Sequence, residues 1–166
     1  MAIEVERRFL VKPDAWWSLV VRMRLKGQEY VQGYLCMGEK AVVRIRMAAG
    51  QAWITVKGKT HDATRQEFEY AIPLSDAREM LTKLCGNHLI KKTRYHLGTN
   101  ADGYWEVDVF HDENEGLIIA ERELMHPKQH LILPDWIERE ITDDPRYFNM
   151  QLAIHPFKFW SHEIQP

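Results

Sequence analysis

The feature that most constrains this chain is a period-two pattern in which charged residues recur two positions apart, segment after segment. In a β-strand, residues i, i+2 and i+4 share a face, and short alternating segments bounded by turn residues read as antiparallel strands. Such segments lie near 3–10, 29–37, 40–48, 51–58, 65–72, 89–97, 104–110 and 116–124. The first sets Glu4, Glu6 and Arg8 against Ile3, Val5 and Phe9, with Arg7 on the apolar side. Arg44 and Arg46 oppose Val43, Ile45 and Met47, and Lys57 lies with Thr55 opposite Ile54 and Val56. Glu67 and Glu69 oppose Phe68 and Tyr70, while Lys92 and Arg94 oppose Thr93 and Tyr95. Glu106 and Asp108 oppose Val107 and Val109. Glu121 and Glu123 oppose Ala120 and Leu124, with Arg122 interrupting the apolar side.

A wet face of an ordinary antiparallel sheet also alternates, and any one of these strands would fit that description. The set as a whole does not, because a solvated face mixes Thr, Ser, Gln and Asn with scattered charges, and here arginine and glutamate dominate. Closing such a sheet into a barrel forces one face inward. The expected fold is therefore α+β and mainly antiparallel, an eight-stranded closed barrel with a charged interior and peripheral helices on its apolar outside. Helices are expected from Ala15 to Met23 after Pro13, from Asp76 to Leu84 with Ser75 as N-cap and Gly86 as stop, and over about 146–154 before Pro156. Gly50 and the Asn100–Gly103 stretch read as hairpin turns.

Buried charges are costly unless paired or ligated, so an interior of both signs implies bound ions. Clustered carboxylates suit a hard divalent cation, Mg²⁺ or Mn²⁺. Arginine and lysine suit phosphate oxygens. Acids beside bases in one cavity describe a site for metal-bound polyphosphate. The chain of 166 residues is expected to form one domain over 1–166, and its net charge of −2 argues against wrapping nucleic acid. No apolar run approaches the roughly 20 residues that span a bilayer, and the acidic start lacks a signal core, so a cytoplasmic location is expected. Cys36 and Cys85 lack metal or redox spacing and read as reduced thiols.

Glu4-Val-Glu-Arg-Arg resembles the Glu-x-Glu-x-Lys signature of the CYTH superfamily, the triphosphate tunnel metalloenzymes. Val43-Arg-Ile-Arg, Thr55-Val-Lys-Gly, Gln66-Glu-Phe-Glu, Lys92-Thr-Arg-Tyr, Trp105-Glu-Val-Asp-Val-Phe and Glu121-Arg-Glu follow in the family's order. Within the family the chain looks most like the short bacterial members, which act on inorganic tripolyphosphate and sometimes nucleoside triphosphates. The resemblance implies an eight-stranded tunnel in which Glu4, Glu6, Glu121 and Glu123 hold the divalent metal with Asp108 in support. It implies phosphate contacts from Arg8, Arg44, Arg46, Lys57, Lys92 and Arg94. Catalysis would centre on Glu4, Glu6, Arg8, Lys57, Lys92 and Glu123, with Glu67, Glu69 and Glu106 lining the tunnel. Two positions depart from the pattern: the signature lysine is Arg8, and Asn149-Met150-Gln151 stands where relatives often carry a lysine.

The expected partner is a small triphosphate, with no nucleic acid or membrane, and homodimer formation is left open. Alternatives within the superfamily are a thiamine triphosphatase and a class IV adenylate cyclase. A non-catalytic polyphosphate or nucleotide-binding module is another, which the carboxylate cluster disfavours. An oligonucleotide-binding barrel would want exposed basic and aromatic residues without the interleaved acids. Gly58-Lys59-Thr60 resembles the end of a phosphate-binding loop, but Trp53 stands where that motif needs glycine.

Overall fold

The computed structural model describes residues 5–58, 66–99, 103–124 and 129–160. In chain order these form β1 (Val5–Val11), α1 (Pro13–Met23), β2 (Gln28–Met37), β3 (Ala41–Ala48), β4 (Gln51–Gly58), β5 (Glu67–Ala71), α2 (Leu74–Lys83), β6 (Leu89–Thr99), β7 (Gly103–Phe110), β8 (Ile118–Leu124), β9 (Ile137–Glu140) and α3 (Asn149–Ile154). The strands make a single antiparallel sheet in the order β5-β4-β3-β2-β6-β7-β8-β1-β9. The α+β, antiparallel-dominated architecture is as the alternation predicts.

The two faces of the sheet have opposite chemistry. Behind β1, β7 and β8, Phe9, Trp105, Val107 and Ala120 pack with Trp16 and Leu19 of α1 and with Trp136. Behind β3 and β4, Ile45 and Ala52 pack with Ala77 and Leu81 of α2. Each helix contributes its buried stripe to cover one patch of apolar sheet. The front face carries the charged residues, but only along part of its length. Further along the same face, Ile90, Phe110 and Ile119 meet Tyr34, Tyr147 and Leu152 and Ala153 of α3 in a third core. The front is thus charged in one part and filled by an apolar plug in the next.

Two details differ from expectation. A ninth strand, β9, pairs with β1 through Phe9↔Glu140, Leu10↔Arg139 and Val11↔Ile137. It occupies part of the β1 edge that a closing β5 would need, so among the described residues hydrogen bonds do not close the expected eight-stranded ring. The predicted helix over 146–154 is also divided. Asp144 accepts from the Arg146 backbone N–H and starts a single 3₁₀ turn over Pro145–Tyr147, then Phe148 is extended (φ −69°, ψ 138°) and α3 begins at Asn149. α2 starts one residue before the predicted cap, because Pro73 sets the entry and the Ser75 hydroxyl bonds Asp76 instead. No helix of the described residues is long and apolar enough to cross a membrane. Both cysteines are free thiols, as expected.

The β3–β4 hairpin turns on Ala49 (φ 50°) and Gly50 (φ 73°), between the paired Ala48 and Gln51. Two positive φ values in a two-residue loop are the pattern for which Asn-Gly is preferred. Alanine pays a steric cost there that asparagine largely avoids. Ala49→Asn is therefore expected to stabilise the fold by about 1 kcal/mol, raising the melting midpoint by roughly 2–4 °C in a thermal scan.

Candidate active site

The charged part of the front face encloses a cavity of about 350 Å³. It draws on eight strands because each presents its even-numbered or odd-numbered set to the same side. β1 supplies Glu6 and Arg8, β3 supplies Arg44 and Arg46, and β4 supplies Lys57. β5 contributes Glu67 and Glu69, β6 Lys92 and Arg94, β7 Glu106, and β8 Glu121. Eleven of the fourteen sequence-predicted site residues therefore meet in one place. Tyr30 and Gln32 of β2 and Asn149 of α3 also line it and were not assigned a role by the charge pattern.

At the base lies Asp108, 1% exposed, beside Lys92, 3% exposed. Lys92 Nζ donates to Asp108 Oδ2 at 2.6 Å, and Arg94 donates to both oxygens at 2.7 Å. Burial alone would raise the Asp108 carboxyl, but the two cations outweigh it and hold it at about 2. Burial lowers the Lys92 ammonium against the pull of Asp108. Burial also disfavours the Arg94 charge, yet Asp108, Glu121 and Glu106 together keep that guanidinium above its ordinary value. Arg94 further bonds Glu106 and reaches Glu121 at 3.2 Å. Asp108 is thus fully engaged in holding two cations, a supporting position behind the cavity wall.

Glu121 has a different environment. Burial first, then the neighbouring Asp108 and Glu6 charges, push its carboxyl up to about 7 despite Lys92 and Arg94. Arg8 Nε donates to Glu6 at 2.6 Å and lies 3.5 Å from Glu121, so one guanidinium stands between these two acids. Glu123 is paired across the strands with Glu6 and is exposed, beyond the cavity lining. Glu4 lies outside the described residues. Among the described residues no three acidic, histidine or cysteine side chains converge on one point.

On the opposite wall Glu69 organises the arginines. It lies 3.3 Å from Arg46 and 3.7 Å from Arg44, and accepts from the buried Thr55 hydroxyl at 2.7 Å. Lys57 pairs with Glu67 at 2.9 Å. Burial, then the neighbouring Arg46, lowers the Arg44 guanidinium from its ordinary value. Even so, Arg8 Nη1, Arg44 Nε and Arg46 Nε are buried with no hydrogen-bond acceptor among the described residues. Buried donors without acceptors are costly. Three of them around one cavity fit an anion with many acceptor oxygens.

A family model for the CYTH domain matches residues 2–148. The chain belongs to the CYTH family. A protein named inorganic triphosphatase from Acetivibrio thermocellus is 43% identical to this CYTH chain over 159 residues, covering 95% of this chain and 97% of that one. One of the same name from Nitrosomonas europaea is 32% identical over 157 residues, covering 91% and 97%. The crystal structure of an inorganic triphosphatase superposes with a TM-score of 0.69 at 30% identity, covering 93% of this chain and 96% of that one.

Removing the charge of Asp108 tests the base of the CYTH cavity. Asp108→Asn leaves Lys92 and Arg94 undercompensated in a buried place, and is expected to cost about 3–5 kcal/mol of stability at neutral pH. The wild-type carboxyl is held at about 2 against an ordinary 3.8, so its contribution is complete above the ordinary value and fades as pH falls toward 2. Urea unfolding curves of the two proteins should be well separated at pH 7, and the separation should shrink by about 2–3 kcal/mol between pH 4 and pH 2.

Proposed function

We propose that this chain hydrolyses inorganic tripolyphosphate with a divalent cation, Mg²⁺ or Mn²⁺, inside the charged cavity. The observation that carries the reading is the set of three buried guanidinium N–H groups without an acceptor among the described residues on Arg8, Arg44 and Arg46, residues that line a cavity whose other cations are held in internal ion pairs. The triphosphatase names of relatives aligned over nearly the whole chain agree with it.

Charge balance bears on the need for a metal. Six cations and five carboxylates line the cavity, so a polyphosphate entering alone would leave it strongly negative. The donor chemistry fits a hard cation: Glu6 and Glu121 offer carboxylate oxygens on either side of Arg8. Glu6 and Glu121, with Glu123 on β8 and with Glu4, which lies outside the described residues, are the residues that would hold the ion. When bound, it would supply positive charge that offsets the charge of the phosphates.

The chain's own groups do the rest. Arg44, Arg46 and Arg8 grip phosphate oxygens with their unused N–H donors, and Lys57 and Lys92 neutralise charge on the phosphoryl group being transferred. Glu69 and Asp108 hold those cations in place before substrate arrives, so little reorganisation is needed as the transition state forms. Water attacks the terminal phosphorus in line and gives up a proton to solvent, the bridging P–O bond breaks, and orthophosphate and pyrophosphate form, the latter carrying negative charge that the arginines stabilise.

The test is phosphate release from tripolyphosphate, ATP, thiamine triphosphate and pyrophosphate with Mg²⁺, Mn²⁺ or EDTA. Metal-dependent release that is fastest from tripolyphosphate is expected. A folded protein that binds tripolyphosphate but releases nothing would be a binding module instead. Glu6→Gln should keep the fold by circular dichroism and reduce turnover by on the order of 100-fold or more, whereas an unchanged rate would remove Glu6 from the metal set.

A further inference from the structure

The cavity's contact with the start of α3 has a specific chemistry. Phe148 lies in the extended break between the 3₁₀ turn and α3, tied to the first turn of α3, where the Leu152 N–H donates to the Phe148 carbonyl. Its ring faces the Arg8 guanidinium, 4.7 Å from centroid to Cζ. The ring is 37% exposed, so core packing does not account for its place. Next to it Asn149 lines the cavity and lies 3.4 Å from Lys92. Arg8 is fixed on one edge by Glu6 and has the buried Nη1 without an acceptor on the other. A planar guanidinium can stack flat on an aromatic face while its N–H groups stay available in the ring plane. That matters here because arginine stands at this position in place of the signature lysine.

Resting on the proposed polyphosphate site, we infer that Phe148 is a positioning residue for substrate binding: its ring holds the Arg8 guanidinium flat so that Nη1 points to a phosphate oxygen. The extended backbone at Phe148 that divides the C-terminal helix is what brings the ring under Arg8. The device acts through Arg8 alone, which gives it a thermodynamic signature that a structural role lacks.

The experiment is a double-mutant cycle read by calorimetric titration with tripolyphosphate in EDTA, so that neither metal nor turnover contributes. Phe148→Leu is expected to weaken binding roughly fivefold to thirtyfold, the range for a stacked, partly desolvated cation. Phe148→Tyr, which keeps the ring, should restore near wild-type affinity. In an Arg8→Gln background, Phe148→Leu should have almost no further effect. Equal losses from Phe148→Leu in both backgrounds, or no loss in the wild type, would overturn the positioning role and leave the site reading standing. A wild-type protein that takes up no tripolyphosphate either in EDTA or with Mg²⁺ would overturn the site reading and this inference with it, and where uptake needs Mg²⁺ the same cycle is read with Mg²⁺ present. If Phe148→Leu lowers the melting midpoint, Phe148→Met reads the same cycle.

Discussion

The site depends on one buried carboxylate. Asp108 sits at the base of the cavity and binds Lys92 and Arg94 at once, with both oxygens in use. A lysine so little exposed would ordinarily discharge, and an arginine there would be too costly to keep. The carboxylate makes both cations tolerable and fixes their direction across β6 and β7. Arg94 then reaches Glu106 and Glu121, which carries the ordered network from the base to the acids on β8.

Around that base the cavity divides into two kinds of group. Arg94 and Asp108 are saturated by internal partners and act as scaffold. Arg8, Arg44 and Arg46 keep donors in reserve, since Glu69 and Glu6 satisfy them only in part. A site built this way holds its charges in place without filling its own hydrogen bonds. The remaining capacity is directed at an oxygen-rich anion. Glu6 on β1 and Glu121 on β8 share the Arg8 guanidinium, and their oxygens are the ones a cation entering with that anion would meet. The apolar plug formed with α3 bounds the charged region, so the same sheet face supplies both a polar container and its hydrophobic end.

Much of this was legible in the alternation. Every charged position assigned to the interior on β3 to β7, and Glu6, Arg8 and Glu121, lies on one face because the period of a strand leaves no choice once the apolar side is packed under α1 and α2. Other features were not legible, for physical reasons. Period two tells which side Ile90, Phe110 and Ile119 occupy, but not that a helix distant in sequence will plug that side. β9, with the sequence Ile-Glu-Arg-Glu, is four residues long and mostly exposed, too short and too charged to declare itself a strand. Tyr30 and Phe148 serve as faces beneath Arg94 and Arg8, and an aromatic residue in a strand or near a helix carries no local sign that a cation will rest on it.

The most direct test of the central claim is a crystal structure of the protein with tripolyphosphate and a divalent cation. The polyphosphate is expected inside the cavity with oxygens on Arg8, Arg44 and Arg46. The cation is expected on the Glu6 and Glu121 side, with Asp108 still bound to Lys92 and Arg94 and not to the ion. Polyphosphate bound on the outer surface, or a cation coordinated by Asp108 at the expense of its two partners, would contradict it.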